Sequence, residues 1–413
     1  MAIPRRAILK PTLYMLGLLG TYHTWGRTIA DGTLVHLLGA LHGGKEYILP
    51  GTDSPLRTSI TGIYWPIDYL LDILIVFFWE AVDGSHPATS AIGIYFLAQY
   101  FSILTGIYVD SLRLGQSRAI TPVRTMLWLL LFQLTATACT GSFWALWHIT
   151  ASPLIGENVS LPELQRRSMA ASWPLLLVFP SLAVGYVLPA VAMALPSPTI
   201  VSNDFQQLAL VAWNVFPFNV FLVHQALRVI FPSSPATSIS ASAHRKAIRI
   251  LSVVSMLVSF TVHVVLSSIS LTTLLFPSLW APGFISDFLP AALVIPPVSF
   301  TRGTTVGDGV RSFLLWDQVF GYMVAILIAW LQLHTVLVAR GKRLGWVKSV
   351  VWIVGGAAIA GPGSVCLAIN WTRDEFLLNS EDIQRAGQKK PSFVQRTGQG
   401  CQVEIKGDSP RAA

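Results

Sequence analysis

The chain alternates long apolar runs with short polar connections. A helix that crosses a bilayer needs roughly 20 mainly apolar residues, and such runs fall near 11–30, 62–82, 89–110, 123–148, 172–195, 206–231, 250–276, 316–339 and 349–371. The pattern predicts an all-α, polytopic transmembrane helix bundle over residues 1–371, with about eight or nine spans. The first run is the weakest, because TYHTWGR interrupts it. Two further apolar pieces, 33–41 and 288–298, are too short to cross. The second, FLPAALVIPPV, reads as a re-entrant or interfacial segment, which is tolerated only where protein covers the backbone. Residues 372–413 turn polar and are expected to form a disordered tail.

Composition narrows the class. Only 12% of the 413 residues are charged and 53% are hydrophobic, whereas a soluble chain carries roughly 25% charged residues. The net charge of +8 comes from short basic clusters between apolar runs, the pattern of positive loops at a membrane surface. A nucleic-acid partner would need those charges gathered on one face, and none is expected. HRKAIR and RGKRLGWVK lie two spans apart and share a side, with Arg5, Arg6 and Lys10 beside them if all nine spans exist. Arg113, Arg118 and Arg124 then fall on the opposite side, so either one span is false or this cluster is an exception. That ambiguity also decides whether the sequon at Asn158 could be glycosylated. The N-terminus has a basic start and a short apolar run without a small-x-small cleavage site, and reads as an uncleaved first membrane segment.

The three cysteines form neither a disulfide framework nor a CxxC pair, which removes iron–sulfur, structural zinc and c-type haem chemistry. No Walker loop, GxGxxG or GxSxG is present, and neither is a DDxxD or NSE-type cluster for magnesium-assisted pyrophosphate ionisation. No metal and no organic cofactor is expected. No internal repeat is visible, and many secondary transporters show one.

Acidic residues inside the second run are the feature that composition does not explain. The stretch WPIDYLLDILIVFFWEAVDG carries Asp68, Asp72, Glu80 and Asp83, and a carboxylate in hydrocarbon costs roughly 2.5–3.5 kcal/mol even on the mild insertion scale. On a helix, Asp72 and Asp83 lie about 40° and about 60° from Asp68, and Glu80 about 120° away. The three aspartates share a stripe flanked by Tyr64, Trp65 and Trp79. Such a stripe should face a cavity or the bundle interior. A carboxylic acid in an apolar pocket can keep its proton and act as a general acid, and a second carboxylate nearby favours that state. Aromatic faces around it can stabilise carbocations. Plainer roles exist for three of the four. Asp68 follows Trp-Pro and suits a first helical turn, Glu80 can snorkel, and Asp83 makes an Asp-Gly turn. Asp72 is surrounded by hydrophobic residues for a turn on either side and has no such explanation.

Four other places carry polar residues in or beside apolar runs. Asp110, three residues before Arg113, suits a local surface ion pair. Asp317 and Gln318 follow Trp316 near the start of a span, where an interfacial Trp and an acidic first turn are the plainer reading. WNVFPFNVFLVHQALRVIF, read as one helix, places Asn214, Gln225 and Arg228 within about 60° of each other, for interhelical hydrogen bonds or for a substrate. His263, alone on an apolar helix, reads as a hydrogen-bonded core histidine.

Three patches carry a resemblance: YWPIDYLLDILIVFFWEAVDGSHP, GYVLPAVAMALPSP with DFQQLALVAWNVFP, and GDGVRSFLLWDQVFGYMVAILIAW. Together the chain resembles multi-pass membrane terpene cyclases of fungal meroterpenoid clusters, of the ascochlorin, ascofuranone and macrophorin type, and related membrane proteins of indole diterpene clusters. The patches are spread across much of the chain, and no single short signature is diagnostic. The resemblance implies proton-initiated cyclisation of a farnesyl-type chain on an aromatic or quinone-like core, without metal or organic cofactor. The acidic positions it matches are Asp68, Asp72 and Asp317. Asp72 is then expected to be the proton donor, Asp68 its partner and Asp317 a second candidate acid. Trp65, Trp79, Glu80, Asn214, Gln225, Arg228 and Trp316 are the expected substrate-lining residues. The expected partners are a lipophilic prenylated substrate, membrane lipid, and pathway enzymes in the same membrane, with the endoplasmic reticulum as the default location. A proton-coupled transporter and a non-catalytic membrane scaffold are the alternatives. Transport requires a through-pore, and a scaffold requires acids bonded into the bundle with no cavity beside them.

Overall fold

The computed structural model describes residues 5–43, 46–115, 120–155, 160–232, 240–300, 305–342 and 344–378. Arg118, Asn158, Cys401 and the residues of the polar tail from 379 onward lie outside them. Among the described residues every regular element is helical, and the one β contact is an isolated bridge between Ile48 and Pro55. The principal helices are α1 (Arg5–Thr21), α2 (Thr33–His42), α3 (Trp65–Val82), α4 (Pro87–Ser111), α5 (Pro122–Thr135), α6 (Thr137–Ala151), α7 (Ser172–Met193), α8 (Asn203–Asn214), α9 (Phe216–Ile230), α10 (Ala241–Leu275), α11 (Val306–Ala339), α12 (Trp346–Ala360) and α13 (Pro362–Leu377).

Helix starts follow local chemistry. Thr121, Ser202 and Thr305 each accept a hydrogen bond from the N–H three residues on, opening α5, α8 and α11. Proline stands in the first turn of α3, α4, α5, α9 and α13, where its missing N–H costs nothing.

Among the described residues four helices, α4, α7, α10 and α11, are long and apolar enough to cross a membrane, and the α8–α9 pair makes a fifth if it counts as one bent span. This is fewer than the eight or nine expected from hydropathy, and the reason lies in the backbone. The run 206–231 bends by 73° between Asn214 and Phe216. The run 123–148 is broken at Ala136 (φ 74°) into helices of 14 and 15 residues. The run 349–371 is broken at Gly361 (φ 84°) into helices of 15 and 16. The run 11–30 leaves α-helical geometry at Tyr22, where a π-helical turn takes over. The run 62–82 does form one 18-residue helix, α3, but places Asp68, Asp72 and Glu80 in it.

Two large hydrophobic clusters form the interior. One joins Phe101, Leu104, Trp144, Tyr186, Phe216 and Leu251, and the other joins Ile75, Trp79, Leu210, Val310 and Phe313. α13 runs past Trp371 to Leu377 and carries buried Arg373 and Asp374. The segment 288–298 holds a short helix, Pro290–Leu293, and Arg27 donates hydrogen bonds to the carbonyls of Val298 and Ser299 just beyond it.

Candidate active site

The acids of α3 have different environments. Asp68 sits buried in the first turn, and its Oδ1 accepts the Thr61 N–H at 2.6 Å. This is the helix-start role expected for an early carboxylate. Glu80 does not snorkel. It is buried, accepts the Gly307 N–H at the start of α11, and lies 4.0 Å from His86 Nδ1. His86 in turn reaches Thr305, the capping residue of α11. Glu80 therefore ties α3 to the first turn of α11. Asp83 accepts from Ser85 in the turn that follows α3. Asp72, one turn from Asp68, is 7% exposed, and its Oδ1 is buried without a hydrogen-bond partner. A buried, unmatched polar oxygen costs roughly 1–3 kcal/mol, so this atom stands out among the acids of α3.

Asp317 is also buried, and its Oδ1 accepts the Ala138 N–H at 2.6 Å, capping α6 from across the bundle at the Ala136 break. It borders a cavity of about 60 Å³ whose walls include Trp25, Phe77, Phe78, Phe96, Phe132, Trp213 and Phe313. Seven aromatic rings and one carboxylate suit a carbocation. Its volume holds only about two water molecules, at about 30 Å³ each. A prenyl chain requires more space, and ligand cavities run from roughly 300 to 1,000 Å³.

A second cavity has that size. It measures about 600 Å³ and lies between α4, α10, α11 and α12, lined mainly by apolar side chains such as Ile92, Leu266, Val319, Met323 and Ile353. Its polar groups are few: Tyr95, His263, Ser267, Ser270, Gln318 and Tyr322. Tyr95 Oη lies 2.9 Å from His263 Nδ1, and His263 Nε2 lies 3.1 Å from the Ala358 carbonyl oxygen. The histidine is hydrogen-bonded, as expected, but it also borders this cavity of about 600 Å³. Ser270 Oγ and Gln318 Nε2 are buried there without partners.

The other expected lining residues do not gather at either cavity. Trp65 is 73% exposed at the start of α3. Trp79 is fully buried in the core, with its indole N–H on the Pro50 carbonyl. Trp316 donates to Pro297 and stacks on His23 at 4.0 Å. The bend after Asn214 places it on a different helix from Gln225 and Arg228. Asn214 bonds back to Leu210, whereas Arg228 is exposed and donates to Gln225. The face predicted from one continuous helix therefore does not exist.

The Asp110–Arg113 pair forms at 2.8 Å but not at the surface. It belongs to a buried cluster with Arg373, Asp374, Gln332 and His148, in which Arg373 reaches both aspartates at 3.1 Å. Arg113 is thus a core residue rather than a loop charge, which takes it out of the orientation count. No signal within a single helix could have assembled this cluster, because its members come from four helices. Among the described residues no group of three or more His, Cys, Asp or Glu side chains is placed to hold a metal ion.

Comparison with known proteins agrees with the resemblance seen in the sequence. The chain is 27% identical over 369 residues to terpene cyclase ctvD of Aspergillus terreus, covering 88% of this chain and 98% of that protein. It is 25% identical over 401 residues to terpene cyclase penA of Penicillium crustosum, covering 92% and 99%. Over 358 residues it is 25% identical to terpene cyclase ascI of Acremonium egyptiacum, covering 84% and 88%. No solved structure matches the chain. The profile of the CtvD domain family spans residues 9–378, nearly every residue of the helical region described above, and the chain belongs to that family.

Proposed function

We propose that the protein is an integral membrane terpene cyclase that starts cyclisation of a prenyl or epoxyprenyl chain by general acid protonation. The observation that carries this reading is the contrast among the buried carboxylates. Asp68, Glu80 and Asp317 each accept a backbone N–H, whereas Asp72 Oδ1 has no partner. A substrate oxygen, such as that of a terminal epoxide, would supply the missing partner. Asp72 is the proton donor and Asp68, one turn away, its partner. Proton transfer opens the C–O bond, the developing cation is attacked by the next alkene, and ring formation follows without change of mass. The named activity of the relatives supports this reaction class. The apolar helices support a multi-pass protein, placed by default in the endoplasmic reticulum beside other enzymes of a meroterpenoid pathway. A lipophilic prenylated aromatic compound is the substrate.

The bonds made by Asp68, Glu80 and Asp317 are also what a non-catalytic scaffold would show. The unpartnered Asp72 oxygen and the cavity of about 60 Å³ beside Asp317 are what a scaffold would lack. The test is a microsome assay with an epoxyfarnesyl hydroquinone, read by mass and retention time. A product of unchanged mass and new retention time, absent from control microsomes, supports the cyclase. Substrate recovered unchanged from both contradicts it for this substrate class.

A further inference from the structure

The cavity between α4, α10, α11 and α12 contains none of the acids considered above, yet it has room for a prenyl chain. Its rim carries exposed apolar side chains, Met323 at 45% and Val354 at 62%, so a lipophilic molecule can enter from the side without meeting charge. Inside, Ser270 Oγ and Gln318 Nε2 belong to residues only 4% and 7% exposed and have no partner. Both atoms are closed off from the open space of the cavity, so its polar face is the Tyr95–His263 pair.

The Tyr95–His263 pair has a defined hydrogen-bond direction. The Ala358 carbonyl can only accept, so His263 Nε2 carries the hydrogen. In the neutral ring Nδ1 is then a lone-pair acceptor, and the Tyr95 hydroxyl donates into it. This is the arrangement of a proton acceptor, since the oxygen of Tyr95 keeps its lone pairs while its own proton has somewhere to go. On the basis of the cyclase reading, we infer that the part of the prenyl chain remote from Asp72 occupies this cavity and that Tyr95 and His263 remove the proton that ends the reaction. In that step a C–H bond next to the last carbocation breaks and its electron pair becomes the new C=C bond. The proton passes to Tyr95 Oη as the Tyr95 hydroxyl proton moves to His263 Nδ1. The positive charge leaves the substrate and ends on the imidazole ring.

The experiment has two readouts. In the first, microsomes are irradiated with a farnesyl hydroquinone bearing a diazirine, and labelled peptides are mapped for wild type, Ala357→Trp, which fills the cavity from α12, and Val351→Trp, on an exposed position of the same helix. Label on the cavity-lining parts of α10 and α11, lost in Ala357→Trp and kept in Val351→Trp, supports the site. Label elsewhere, or label insensitive to Ala357→Trp, overturns it. In the second, the ratio of alkene product to water-trapped alcohol is measured for Tyr95→Phe and His263→Gln. Glutamine keeps an acceptor for Tyr95 and a donor for Ala358 but cannot take a proton. A ratio moved by about tenfold or more supports the base, because general acid–base groups contribute on at least that scale. An unchanged ratio overturns it. Wild-type membranes that label in the cavity yet make no product would sink the cyclase reading and the base with it, while leaving the binding site standing.

Discussion

Asp72 differs from its neighbours in one respect: its oxygen is buried without a partner. Asp72→Asn removes the transferable proton and keeps the shape, so turnover should fall by at least about 100-fold, the lower bound for general acid catalysis. The melting temperature in detergent should stay near wild type, because no structural bond is lost. A variant that retains turnover would contradict the assignment. Asp317→Ala should behave in the opposite way for stability. It deletes the cap on α6 and should cost about 0.5–2 kcal/mol, seen as a lower melting temperature. Asp72 could be picked out from sequence because every interfacial explanation fails for it. The structural role of Asp317 could not, since its partner Ala138 is 179 residues away. The same holds for Tyr95 and His263, 168 residues apart.

At the scale of helices, hydropathy located nearly all the apolar material but overcounted the spans. An apolar run says how much a segment prefers to be buried, whereas continuity is set at one or two residues. Pro217 and Pro362 open new helices after Val215 and Gly361, and Ala136 adopts a positive φ where Asp317 caps the helix that follows. The contact of α13 with α4 rests on a small residue. A Cβ added to Gly363 would meet the Gln99 backbone oxygen at 2.2 Å. Backbone cannot yield as a side-chain tip can, so Gly363→Ala should destabilise by about 1–3 kcal/mol, the usual cost of overpacking. A melting temperature equal to wild type would show that α13 can shift. The exposed Val351→Trp on α12 serves as the control.

At the scale of the whole molecule, the described residues combine three apolar clusters, two of them large, with an ionic cluster whose two arginines and two aspartates balance. Removing one member strands the others, so Arg373→Met should cost about 3–5 kcal/mol and yield aggregated protein on size-exclusion chromatography. A monodisperse, heat-stable variant would mean the cluster is not integral to the fold. Integral insertion predicts that the protein stays with membranes through an alkaline carbonate wash, and release would argue for peripheral attachment. The composition made the apolar helices legible, and the resemblance supplied the family. The cavity of about 600 Å³ was not legible, because it forms only where α4 meets α10, α11 and α12. The most direct test purifies the protein, reconstitutes it in lipid vesicles with an epoxyfarnesyl hydroquinone alone, and compares wild type with Asp72→Asn. The account predicts a cyclised product of unchanged mass from the wild type and none from the variant. Unchanged substrate from both, or equal product from both, would contradict it.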